Sequence, residues 1–241
     1  MTERGASALE RTATSYAIGP SAVRWDGTTL TIDIDEVTVP IPGRVRGTVR
    51  VHPIMVTDHV VTLDAAGRHR WWPVAPASRV EVDLASPSLR WSGPGYLDSN
   101  WGDAPLEADF PDWDWCRTAL GPGGREGAAI LYDVRRRDGT GKTVPIHVRP
   151  DGSVEPFAAP PRVRLPATRI WRVPRETGCE AGGEARVAAT FLDAPFYARS
   201  VVTTRLLGRP VTAMHESLAL DRFASPWVQV LLPFRMPRVA R

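Results

Sequence analysis

Residues 44–51 read RVRGTVRV, so that Arg or Thr alternates with Val or Gly over eight positions. A period of two sends successive side chains to opposite faces. The segment is therefore a half-buried antiparallel strand with a charged outer face. The same rhythm runs through 79–84 (RVEVDL) and 28–34 (TTLTIDI), the latter following the turn dipeptide Asp26-Gly27. Asp64-Ala65-Ala66-Gly67 reads as the tip between two strands. Further on, 127–134 (GAAILYDV) and 143–148 (TVPIHV) flank a turn built on Asp138-Gly139 and Gly141, and Asp151-Gly152 marks the next hairpin. Strands are expected also at 167–173, 185–192, 200–207, 211–217 and 227–232. Residues 156–166 hold four prolines and read as a stiff connector. Residues 91–118 show no clean period and read as an ordered, irregular loop. Only 1–12 offers a modest helical candidate.

Many short strands between turn signals predict an all-β fold, sandwich or barrel, with little helix. Composition agrees. The 241 residues are 43% hydrophobic and 24% charged, and 20 Gly with 23 Pro suit turns better than helices. The Pro/Gly-rich GPGG at 121–124 is the expected seam between two β domains, 1–120 and 121–241. A net charge of +3 is too small to argue for nucleic acid. Lys142 is the only lysine among 30 basic residues, so the surface carries guanidinium forks rather than ammonium points. No apolar run of about 18 residues is present to cross a membrane as a helix, and the charged MTERGASALERT has no secretory h-region. A cytoplasmic chain is the expectation. Cys116 and Cys179 are expected free and reduced. No zinc spacing, Walker loop, dinucleotide fingerprint or nucleophile elbow is found.

Three local groups carry chemistry: His69-Arg70-Trp71-Trp72, the run 95–102 (GYLDSNWG), and Trp113-Asp114-Trp115-Cys116-Arg117. Six of the nine Trp fall within 50 residues here. Each has a plain structural reading. Tryptophans fill β cores, a lone His is commonly a satisfied core residue, and Asp98 can close an Asx turn. The trio Asp98, Asn100 and Asp103 is not a calcium loop, because Asp103 stands where the turn needs Gly. By residue type, the segment is an aromatic-lined acidic pocket.

The stretch 95–117 (GYLDSNWGDAPLEADFPDWDWCR) resembles the signature of the carotenoid 1,2-hydratase family, also called hydroxyneurosporene synthase. So do 192–200 (LDAPFYARS) and 215–238 (HESLALDRFASPWVQVLLPFRMPR). The resemblance implies two lipocalin-like β domains packed together. It also implies cofactor-free addition of water to the terminal C1–C2 double bond of an acyclic carotenoid such as neurosporene or lycopene. The family's His-x-Trp pair falls on His69 and Trp71, and its Tyr-x-Asp pair on Tyr96 and Asp98. Family members carry a further N-terminal segment ahead of MTERG, so the first domain is expected to lack a first strand.

The chemistry begins with protonation of the alkene, which leaves a tertiary cation for water to capture. The donor must be a carboxylic acid sheltered among apolar groups so that it keeps its proton. Asp98 is the expected general acid. Aromatic faces steady the cation: Trp71 first and Trp101 second, with Trp72, Trp113 and Trp115 lining the substrate site. His69 or the re-ionised Asp98 takes the proton from water, oriented by Tyr96. A bilayer-borne polyene implies transient contact with membrane lipid and with other carotenoid enzymes, peripherally on the inner photosynthetic membrane. Arg135, Arg136 and Arg137 can meet lipid head groups, unless they are only a solvated hairpin tip. Leu231-Leu232-Pro233-Phe234-Arg235 can enter the interface, unless this segment is a core strand. Two other readings fit the same pattern: a pericyclase-type enzyme on this fold, and a non-catalytic lipocalin-like binder of polyenes.

Overall fold

The computed structural model describes residues 4–38 and 41–232. Among the described residues, seventeen strands and three short helices follow one another. The first eight strands are β1 (Leu9–Arg11), β2 (Ser15–Ile18), β3 (Ser21–Trp25), β4 (Leu30–Val37), β5 (Arg44–Pro53), β6 (Val61–Thr62), β7 (His69–Ser86) and β8 (Ser88–Gly102). They form one antiparallel sheet in the order β1-β2-β3-β4-β5-β7-β6, with β8 on the other edge of β7. Helix α1 (Leu106–Asp109) leads into β9 (Asp112–Ala119), β10 (Ala128–Arg135), β11 (Gly141–Val148) and β12 (Val154–Pro156). Then come β13 (Arg162–Leu165), β14 (Arg175–Gly178), β15 (Arg186–Asp193), β16 (Tyr197–Leu206) and β17 (Arg209–Ala219), followed by helices α2 (Leu220–Phe223) and α3 (Pro226–Leu231). The second sheet runs β12-β11-β10-β9-β17-β16-β15, and β13 pairs only with β14. The all-β expectation holds.

The turn dipeptides act as read. Gly27, Gly67, Gly139 and Gly152 all have positive φ, as the tight connections there require. Four expectations are corrected. First, 91–118 is no loop: β8 reaches Gly102 by pairing with β7, and β9 begins at Asp112. Its alternation is real but escapes a hydrophobic reading, because one face is a mixture of aromatic and charged residues. Second, the expected strand at 167–173 is a connection, and strands stand on either side of it in β13 and β14. Third, 227–232 belongs largely to α3, which Pro226 opens from the favourable first-turn position. Residues 233–235 lie outside the described residues. Fourth, the N-terminal helical candidate is a 3₁₀ turn at Ala6–Ala8 followed by β1. The GPGG seam, moreover, lies inside the second sheet, since β9 pairs with both β10 and β17. The sheets divide at 103–111.

The core lies between the two sheets and on the far face of the second. Trp71, Leu63 and Phe110 pack with Trp115, Ile130 and Tyr132 in the first cluster. Cys116, Leu131, Val202 and Leu206 form the second. β10 feeds both, which explains its near-continuous burial and the unbroken apolar run AAILY.

Candidate active site

Long β7 sets the site. Its alternation turns His69 and Trp71 inward, both fully buried, while Trp72 points the other way and donates from Nε1 to the Thr57 carbonyl at 2.8 Å. β8 pairs with it so that Trp71 faces Asn100, and a bulge in β7 between Trp72 and Ala75 offsets the register beside Asp98. The Trp71 indole therefore meets the Asp98 carboxyl diagonally, donating from Nε1 to Oδ2 at 3.0 Å. Asn100 adds a longer contact to the same oxygen at 3.4 Å. Both bonds arrive at Oδ2.

Asp98 opens on a cavity of about 370 Å³ lined by Tyr96, Asp98, Asn100, Leu106, Trp113, Trp115, Tyr132, Arg199 and Glu216. Aromatic edges and faces interlock around it. Trp71 and Tyr132 meet edge-on at 5.1 Å, Trp113 and Tyr132 at 5.6 Å, and Tyr96 tilts against Trp115 at 4.8 Å. The Tyr96 hydroxyl is buried beside Asp98 and the Trp71 indole yet makes no hydrogen bond of standard geometry. Burial, reinforced by the Asp98 charge, holds its pKa well above the ordinary phenol value. Under this ring lies the buried Arg117, whose Cζ is 5.8 Å from the centroid. It donates to the Pro76 carbonyl at 2.7 Å and the Gly95 carbonyl at 3.3 Å, tying β9 to β7 and β8. Burial lowers its pKa to about 10.

The expected residues do not all converge. Tyr96, Asp98, Trp113 and Trp115 line the cavity, and Trp71 stands directly behind Asp98. His69 shares the inward face of β7 but turns to another partner. Its Nε2 lies 2.6 Å from Asp109 Oδ2 and its ring packs on Phe110 at 4.9 Å. No described hydrogen bond joins it to Asp98 or Tyr96. Trp101, 42% exposed, and Trp72 do not line the cavity. Five residues that the sequence reading left without a role also line it: Asn100, Leu106, Tyr132, Arg199 and Glu216. The registers Tyr132↔Trp115, Trp115↔Glu216 and Glu216↔Arg199 form one row across β10, β9, β17 and β16. Arg199 and Glu216 sit in the very stretches, 192–200 and 215–238, that resemble the hydratase family, which was the available signal.

A second polar cluster lies on the opposite face of β9. Asp114 accepts from Ser217 Oγ at 2.5 Å and stands 3.9 Å from His215 Nε2, which meets the Glu176 carbonyl at 2.7 Å. Burial raises Asp114 to a pKa of about 7 and lowers His215 to about 4. These groups hold β14 onto the sheet.

A β-rich, lipocalin-like fold with a carboxyl group set among aromatic rings at a cavity wall defines the class. A protein described as an AttH from Nitrosomonas europaea has a solved structure that shares the architecture. Its TM-score is 0.57 at 13% identity, over 89% of this chain and 72% of that one. The carotenoid hydratase CrtC family matches over residues 1–241. The acyclic carotenoid 1,2-hydratase of Thiocapsa roseopersicina is 58% identical over 99% of this chain and 58% of its own length. That of Rubrivivax gelatinosus is 47% identical over 100% and 58%. The chain belongs to the carotenoid hydratase CrtC family. It spans about three-fifths of the length of these two relatives.

Proposed function

We propose that this chain adds water across the terminal C1–C2 double bond of an acyclic carotenoid, without a cofactor. The carrying observation is the Asp98 carboxyl, fixed through Oδ2 by Trp71 at the edge of an aromatic cavity. With both donors on Oδ2, Oδ1 is the oxygen left to hold a transferable proton. Delivery of that proton to C2 leaves a tertiary cation at C1. The rings of Trp113, Trp115 and Tyr132 line the space where this charge develops. Each well-placed ring face contributes about 0.5–2 kcal/mol when desolvated. Trp71, wholly buried and bonded to Asp98, serves as a positioning residue. Water then captures C1. A binder of polyenes gains nothing from a carboxyl group buttressed in this way, and a pericyclase needs no acid. The test is the product profile of lycopene- or neurosporene-making cells given this gene. A 1-hydroxy carotenoid carrying solvent oxygen, absent with Asp98→Asn, is expected. An unchanged product with the variant removes Asp98 from the role.

The substrate places the protein at a membrane surface. No described helix is long and apolar enough to cross a membrane. The arginines at 135–137 are engaged within the protein: Arg135 pairs with Asp112 and Glu176, Arg136 donates to the Leu63 carbonyl, and Arg137 pairs with Asp221. A different patch supports peripheral attachment. Trp171 and Trp227 stack at 5.8 Å on the surface beside exposed Ile170 and Val230, flanked by exposed Arg169 and Arg172. Amphipathic indoles with neighbouring guanidinium groups suit an anionic lipid interface.

A further inference from the structure

We infer that Glu216, held by Arg199, is the catalytic base that takes the proton from the attacking water. The inference rests on the hydration reading above and assigns the half of the reaction that Asp98 leaves open. Acid-catalysed hydration needs an acceptor for the water proton as well as a donor for the alkene. His69 is turned to Asp109 and lies outside the cavity wall. Among the described residues lining the cavity, the carboxyl groups are Asp98 and Glu216. They come from different sheets, Asp98 from β8 and Glu216 from β17, and Tyr132 feels the charge of both.

The geometry of Glu216 fits a base. Arg199 donates to it from Nε at 2.8 Å and approaches with its terminal nitrogen at 2.7 Å, and both contacts fall on Oε1. The Tyr197 hydroxyl also lies against the Glu216 carboxylate, and the carboxylate still lines the cavity in which the attacking water must stand. The Glu216 side chain is 19% exposed, so water reaches it while its position stays fixed. Arg199 is itself steadied by the Tyr197 hydroxyl, which accepts from Nε at 3.1 Å. It acts as a positioning residue.

The step balances. The π pair of the double bond takes the Asp98 proton at C2. A water lone pair then forms the C1–O bond while the water O–H bond breaks toward the Glu216 carboxylate. Asp98 ends ionised and Glu216 protonated, and proton exchange with solvent restores the pair.

The test separates proton delivery from water capture. Native protein, Glu216→Gln and Asp98→Asn are incubated in D2O with vesicles containing lycopene, and the product and the recovered carotenoid are weighed by mass spectrometry. Glu216→Gln is expected to lose about 100-fold or more in hydration. It continues to place deuterium in the recovered carotenoid, because the cation still forms, turns about its C2–C3 bond and reverts by giving the original C2 hydrogen to Asp98. Asp98→Asn loses both signals. Native hydration rates in Glu216→Gln overturn the inference, and so does loss of hydration and exchange together with an intact near-ultraviolet spectrum. Should Glu216→Gln fail to fold, Glu216→Asp retracts the carboxylate by one methylene. Its expected outcome is hydration reduced about 10-fold with exchange unchanged, and native hydration there overturns the inference equally. If native protein gives neither hydration nor exchange, the hydration reading itself falls and takes this assignment with it.

Discussion

Single atoms at the cavity wall separate support from chemistry. The Trp71 indole N–H is one such atom, because it fixes Asp98 Oδ2. Trp71→Phe keeps a ring in the core but removes that donor. Turnover is expected to fall about 10- to 100-fold, the scale at which misplacing a reacting group is felt. A steady-state rate equal to native would show that Asp98 needs no such anchor. The Tyr96 hydroxyl is a second case. It is buried without a standard hydrogen bond, and an unmet buried donor costs about 1–3 kcal/mol. Tyr96→Phe is therefore expected to leave the thermal midpoint level or raise it while lowering turnover. A clear drop in the midpoint would reveal a partner for the hydroxyl.

At the scale of elements, β9 is the strand on which both faces carry polar work. Trp113, Trp115 and Arg117 face the site, and Asp114 and Cys116 face the β13–β14 hairpin. Burial drives the Cys116 thiol up to about 12, which leaves it inert. Asp114, at about 7 instead of 3.8, stabilises the fold in its neutral form. Its contribution is complete below pH 3.8 and disappears as the pH rises through 7. His215, at about 4 instead of 6.5, works oppositely: its contribution is present above pH 6.5 and is lost as the pH falls through 4. The two offset each other between those limits. Relative to native protein, Asp114→Asn should gain stability as the pH climbs from 4 to 7, by about 1.4 kcal/mol per unit at its steepest. Urea unfolding across that range checks it, and a flat difference would mean that Asp114 titrates normally. The β5–β7 pairing offers a backbone counterpart. Gly47 sits at a register shift with φ of 151°, and a Cβ there would lie 2.3 Å from the Asp83 carbonyl oxygen. Gly47→Ala should cost about 1–3 kcal/mol from the backbone conformation alone, before the clash is counted. An unmoved denaturation midpoint would contradict this.

Across the whole molecule, the site exists because two sheets meet. β7 and β8 bring Trp71, Tyr96 and Asp98, while β9, β10, β16 and β17 bring the opposing rings and the Arg199–Glu216 pair. The proposed membrane face also joins distant segments, the 166–174 connection and α3. Replacing Trp171 and Trp227 by Ser should reduce co-sedimentation with anionic vesicles while leaving the fold intact. Equal sedimentation of native and variant protein would remove that face from consideration. The sequence carries the β class, the hairpin turns and the polar–apolar faces of strands such as β5, because a period of two and a glycine at positive φ are local properties. It also marked Tyr96, Asp98, Trp113 and Trp115, whose residue types are unusual in so short a span. Three-dimensional packing was needed to learn that His69 turns to Asp109, that Trp101 is exposed and that Glu216 shares a cavity with Asp98. Those relations depend on register between strands far apart in the chain, and no spacing along the sequence encodes which cross-strand row a side chain will join. For the same reason strand β9 belongs to whichever sheet pairs with it, and the two sheets divide at 103–111.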